Sequence, residues 1–176
     1  MKTIQLGIFL ITLILSACAT TTNQAESAKP LERNAKWALL PISNHTDVPQ
    51  AGLRAEAIAE VLLRSRHINN LSHYPPESNP DSLFEPAERK QTEDALSWAH
   101  EQGIRYAVTG AVDEWHYRVG IDGEAAVGMT LQVIDLADHD RVVWSAAGAK
   151  SGWNHEALSS VAQELLNDLL DGVWLT

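Results

Sequence analysis

Few side chains in this sequence have both the type and the spacing for chemistry. Cys18 is the only cysteine, hence the only thiol nucleophile, and a lone cysteine excludes an intramolecular disulfide scaffold or a multi-cysteine metal site. Ser43-Asn44-His45-Thr46-Asp47 contains residues used in acid–base work, but it stands between an apolar run and a proline-started helix, where turn and cap chemistry explains it. Asp138-His139-Asp140 has the composition of a divalent-cation site and the position of a turn between two alternating segments. His155-Glu156 fits capping and first-turn acidity at the start of the last helix. GxGxxG, GxSxG, HExxH and the phosphate-binding GxxxxGK pattern are all missing, so no catalytic, cofactor or metal residue is assigned and the chain reads as a non-enzyme. Two features point to binding and attachment instead. Asp113, Glu114, Asp122 and Glu124 flank a hairpin, and acids repeated around a symmetric ring would focus a cation-attracting field. Trp153 lies in a glycine-flanked loop, where it either folds back on the domain or inserts at a headgroup boundary.

The elements around these residues begin with an address. Lys2 and the apolar run GIFLITLIL precede Leu15-Ser16-Ala17-Cys18, too short a stretch to span a bilayer comfortably. The LSAC ending resembles the lipobox of bacterial lipoproteins, which predicts a signal peptide over 1–17 and a covalent lipid on Cys18 after cleavage. Ala19 rather than Asp after the cysteine points to the outer membrane. Several acyl chains on one residue make a stable anchor where one chain would not. Residues 18–35 then read as the lipidated cysteine and a short flexible tether, small and polar without apolar periodicity.

Residues 36–176 read as one periplasmic domain. KWALLPI predicts a buried strand and residues 50–66 a helix, with Leu53, Ala57 and Val61 as its inward stripe beside Ile58 and Leu62. A short strand is expected near 70–74, then a proline-rich connection and a helix over about 88–102 with Leu96 and Ala99 inward. Residues 104–119 put Tyr106, Val108, Gly110 and Val112 on one strand face, but Trp115 and Tyr117 break that alternation, which suggests a bulge near 113–114. Residues 124–136 alternate cleanly, DHDR turns the chain, and VVWSAAGA completes a meander. A last helix is predicted over about 156–171. The fold class is therefore α/β: a single mixed-sheet domain of order β-α-β-α-β-β-β-α, its antiparallel C-terminal meander packed by segregated helices.

Charge narrows the partners. The chain carries 13 Lys and Arg against 23 Asp and Glu, a formal net charge of -10, without a basic cluster; nucleic acid is excluded as a ligand. Signal removal takes away Lys2 and no acid, so the mature protein is one unit more negative.

The segments LSAC at 15–18, WALLPISNHTDVPQAG at 37–52, YAVTGAVDEWHYRVG at 106–120 and WSAAGAKSGW at 144–153 resemble the PelC family of outer-membrane lipoproteins, which serve Pel exopolysaccharide export and biofilm formation. More distantly, the organisation is similar to CsgG-like and LpoB-like periplasmic domains, but no long segments for a transmembrane barrel are visible. The resemblance implies a homo-oligomeric ring, a dodecamer, on the periplasmic side of the outer membrane. It further implies that the ring guides a cationic amino-sugar polysaccharide to a PelB-like β-barrel porin. Trp153 best matches the family's membrane-interacting aromatic, and the four acids are candidates for the polymer path. The alternative from a different class is an outer-membrane lipoprotein that activates a peptidoglycan synthase. A small carbohydrate hydrolase would have to use His45 or Asp47.

Overall fold

The computed structural model describes residues 20–24, 29–75, 85–118, 123–153 and 155–176. Cys18 and Asp122, and with them the lipidation site and one candidate acid, lie outside the described residues.

Thr20–Gln24 forms β1 and Trp37–Asn44 forms β2, the latter a near-continuous apolar run because both of its faces are covered. Trp37 and Leu39 enter one core cluster while Ala38 and Leu40 enter another on the opposite side of the sheet. β2 pairs in parallel with the short β3 (Leu71–His73) and with β4 (Tyr106–Tyr117). β4, β5 (Ala125–Asp135) and β6 (Arg141–Ser151) form the expected antiparallel meander. Strand order across the six-stranded sheet is β1-β6-β5-β4-β2-β3.

The eight expected elements occur in the expected order, and the structure adds β1. This strand lies antiparallel against β6, with Thr20 opposite Ala149 and Gln24 opposite Ser145. It belongs to the segment whose composition suggests a tether. TTTNQ has no apolar alternation; what recruits it is the open backbone edge of β6, which needs hydrogen-bond partners whatever side chains supply them. Further along, Leu31 is buried and its backbone pairs with Trp174 and Thr176 at the C-terminal end of the chain.

The three helices divide unequally between the faces, so their segregation is incomplete. α1 (Ala51–Ser65) and α3 (Leu158–Leu170) cover one face, and α2 (Glu85–Glu101) lays Ala95 and Ala99 on part of the other. α3 buries Val161, Ala162, Leu165, Leu166 and Leu169 as its periodicity predicts. In α1 Leu62 and, in part, Ile58 pack inward as expected, but the rest of the expected stripe is reversed. Ala51, Ala55, Ala59, Leu62 and Leu63 face the sheet, while Leu53, Ala57 and Val61 face outward. The reason is steric: at Gly52 a Cβ would stand 2.1 Å from the Ile42 carbonyl oxygen. A helix packed that close accepts glycine and alanine at the contact and turns its larger residues elsewhere.

The break in β4 is a bulge. Pairing with β5 shifts between Val112 and Glu114, leaving Asp113 as the extra residue, and the shift returns Trp115 to the core side occupied by Val112.

Candidate functional site

The ends of five strands meet at one pole of the sheet. Tyr117 at the end of β4 faces Ala125 at the start of β5, Ala126 faces Ser151 at the end of β6, and β1 starts opposite Ala149. β2 ends there too, since Asn44 pairs with Val112. The chain-distant segments SNHTD, 113–118, 123–126 and 151–153 therefore lie toward the same end of the sheet.

The bulge aims Asp113 away from the ladder, where its Oδ1 lies 3.0 Å from His45 Nδ1; both side chains are about half exposed. No sequence pattern signals this pairing across 68 residues, although each partner stands out by type. Around it SNHTD forms a turn: Asn44 Oδ1 accepts bonds from the Thr46 backbone N–H and hydroxyl, and Asn44 Nδ2 donates to the Val48 carbonyl. Asp47 caps nothing, because α1 starts from Gln50 in a left-handed conformation without a side-chain cap.

Glu114 lies over Gly128, within reach of His116 Nε2 at 3.5 Å and an Arg118 guanidinium nitrogen at 3.4 Å. Glu124 is exposed, and its carbonyl accepts the Arg118 backbone N–H. Asp113 and Glu114 edge a shallow groove of about 420 Å³ whose lining includes Gly128, Thr130, Ala147 and Ala149. The structure thus places three of the four candidate acids at or near this pole. Two have cationic or ionisable neighbours, and Glu124 has no ion pair among the described residues.

Trp153 is 77% exposed. Its position is set by the backbone around it: the Gly152 N–H donates to the Ala125 carbonyl, and the Trp153 N–H to Glu156 Oε2. A Cβ at Gly152 would fall 2.5 Å from a Val161 methyl and 2.8 Å from Glu156 Oε2, so only glycine lets the loop pass this close to α3. The turn that results directs the indole outward. Beside it, the half-exposed Tyr117 accepts the Leu158 N–H on its hydroxyl. Behind the loop, Lys150 bridges to Glu164 at 2.9 Å and Asp168 at 3.1 Å, tying β6 to α3. Partial burial opposes the charge on Lys150, but the bonds to the two carboxylates outweigh it and hold the ammonium pKa above its ordinary value.

The remaining polar clusters behave as turns and ties. Asp138 pairs with Arg141 at 2.7 Å, Asp140 with His100 at 2.9 Å, and His139 stands in solvent with φ 56°. Hydrogen bonding to Arg141 holds the Asp138 carboxyl below its usual range. No group of three metal-ligating side chains is assembled among the described residues, and no helix there is long and apolar enough to cross a membrane.

No family model and no curated protein matches the sequence. Solved structures do. A PelC dodecamer from Paraburkholderia phytofirmans superposes with a TM-score of 0.74 at 36% identity, over 90% of this chain and 99% of that one. The chain belongs to the PelC family. A point variant of the same PelC dodecamer, in another crystal form, gives a TM-score of 0.76 at 35% identity, over 90% and 100% of the two chains. Outside PelC the likeness is one of fold: lipoprotein GNA1162 from Neisseria meningitidis matches with a TM-score of 0.53 at 13% identity, over 78% of this chain and 96% of that one.

Proposed function

We propose that this PelC-family protein is a non-enzymatic, lipid-anchored component of exopolysaccharide export. It assembles as a dodecameric ring on the periplasmic side of the outer membrane and passes a cationic amino-sugar polymer to a PelB-like porin. The observation that carries the reading is its similarity, through 90% of its length, to a PelC that is a dodecamer. A domain of this size encloses no polymer-wide passage alone, whereas closed symmetry supplies one.

Cys18 is the proposed lipid attachment and Trp153 the proposed membrane contact. What supports the pair is that β1, two residues after Cys18 in the sequence, starts at Thr20 opposite Ala149, four residues before Trp153. An exposed indole beside a lipid anchor belongs at the headgroup boundary, where its ring is buried and its N–H stays wet. Asp113, Glu114, Asp122 and Glu124 are the proposed acids of the polymer path, and their attraction for a polycation is long-ranged at low salt.

Cryo-electron microscopy of the lipidated protein in a membrane mimetic tests the whole reading. The expected result is a closed twelve-subunit ring with acids facing its passage; a folded monomer at high local concentration overturns it. A periplasmic pull-down that recovers a cell-wall synthase in place of the porin would transfer the protein to the activator class.

A further inference from the structure

The outward side of α1 carries apolar surface that the subunit's own fold leaves uncovered. Leu53, Ala57 and Val61 are spaced four residues apart and so line one helix face. Leu53 is 51% and Val61 66% exposed. Because Ala51, Ala55, Ala59 and Leu62 occupy the sheet side, this stripe points away from the sheet. Arg54 lies on the same outward side, exposed, and its guanidinium has no hydrogen bond or ion pair among the described residues. On the opposite face of the sheet, beyond the reach of α2, lies the groove of Gly128, Thr130, Ala147 and Ala149, edged by Asp113 and Glu114. Ala147 and Ala149 are exposed in it.

We propose that these two surfaces are the two halves of the subunit joint: the Leu53–Ala57–Val61 stripe of one copy seats in the small-residue groove of the next, with Arg54 against the groove's carboxylates. This rests on the oligomeric reading above and specifies which faces make the contact. Three features select a second copy of this chain as the occupant. The surfaces lie on opposite faces of one sheet, so the contact is heterologous and repeats head to tail, the only kind of contact from which a cyclic ring larger than a dimer is built. The groove presents glycine and alanine where the incoming helix presents leucine and valine, which permits close approach. The charges are complementary: subunits that each carry a net negative charge repel each other, and a cation without a partner on one side meets acids on the other. A consequence for the polymer path is that Glu124, outside this contact, is free to face the passage, while Asp113 and Glu114 contribute where the joint borders it.

The test uses the full-length lipidated protein in detergent or nanodiscs, with particle mass as the readout. L53D combined with V61D is expected to yield monomers with the wild-type circular dichroism spectrum. R54E is expected to raise the concentration at which the ring dissociates at least tenfold, and adding Glu114→Arg to it is expected to restore assembly. Intact rings in the double Asp variant overturn the proposal, also where those rings have lost the porin, which would give the stripe to a different partner. Should that variant fail to fold, V61C paired with A147C decides: a ladder of disulfide-linked oligomers on oxidation supports the joint, and uncrosslinked subunits from an intact ring refute it. A wild-type protein that is itself monomeric defeats the ring reading, an outcome distinct from any of these.

Discussion

Trp37 and Trp115 belong to one core cluster and are almost wholly buried, yet their indole N–H groups fare differently. Trp37 Nε1 donates to the Glu32 carbonyl at 3.0 Å, whereas Trp115 Nε1 is buried without an acceptor among the described residues. A buried donor lacking a partner keeps its desolvation cost, about 1–3 kcal/mol. Trp37→Phe is therefore expected to destabilise more than Trp115→Phe, by about 1 kcal/mol, measured as the difference in urea midpoint at equal m-value. Lys150 gives a pH-dependent counterpart. Its folded pKa is raised, so its contribution is fully present below the ordinary lysine value of 10.5 and disappears as pH rises through the folded value. Lys150→Ala should cost about 1 kcal/mol at neutral pH. The gap from wild type should close in strongly alkaline titration. Neither effect is legible in the sequence, because hydrogen-bond satisfaction depends on which carbonyl or carboxylate the fold brings within reach.

Among the elements, α1 shows where periodicity stops being informative. Its sequence supports two stripes, one of Leu and Val and one mainly of Ala, and hydrophobicity alone selects the larger residues for the core. Packing distance selects the smaller ones, and that distance is fixed by β2, not by the helix. Gly52→Ala is the direct probe: a Cβ 2.1 Å from the Ile42 carbonyl oxygen must push the helix outward. The expected loss is about 3 kcal/mol, at the upper end for overpacking, and thermal denaturation would reveal it. Elsewhere the sequence is more candid. The bulge at Asp113 is readable because Val112 and Trp115 are both apolar and cannot share a face without an extra residue between them. β1 has no such signal; its side chains carry no pattern, and its pairing is a property of the neighbouring edge. The candidate site is readable as separate pieces, since the acids and Trp153 stand out by type, but their common pole follows from strand directions.

For the whole molecule, charge sets the terms of assembly and transport. Polymer capture by a ring of acids should weaken steeply between low and physiological salt, where the screening length falls to about 8 Å. Neutralising Asp113, Glu114, Asp122 and Glu124 together should depress export; neutralising Asp122 and Glu124 alone should do so with the ring intact, and unchanged export there would remove those two from the path. Trp153→Ala should reduce liposome association several-fold with the circular dichroism unchanged, and Cys18→Ser should abolish labelling by a radioactive fatty acid. The strand β1 gives these membrane contacts a mechanical side. Between Cys18 and Thr20 there is a single residue, and covalent geometry limits their separation to about 7 Å. With β1 bonded along the edge of β6, an anchor at Cys18 would have little slack and would set the stand-off height of the domain. Every subunit in a ring would then be held at the same height and tilt by its own lipid, so the leash works as a rivet. A flexible spacer inserted before Thr20 should preserve attachment and fold while letting the domains rock, and the passage would lose its fixed aim at the membrane.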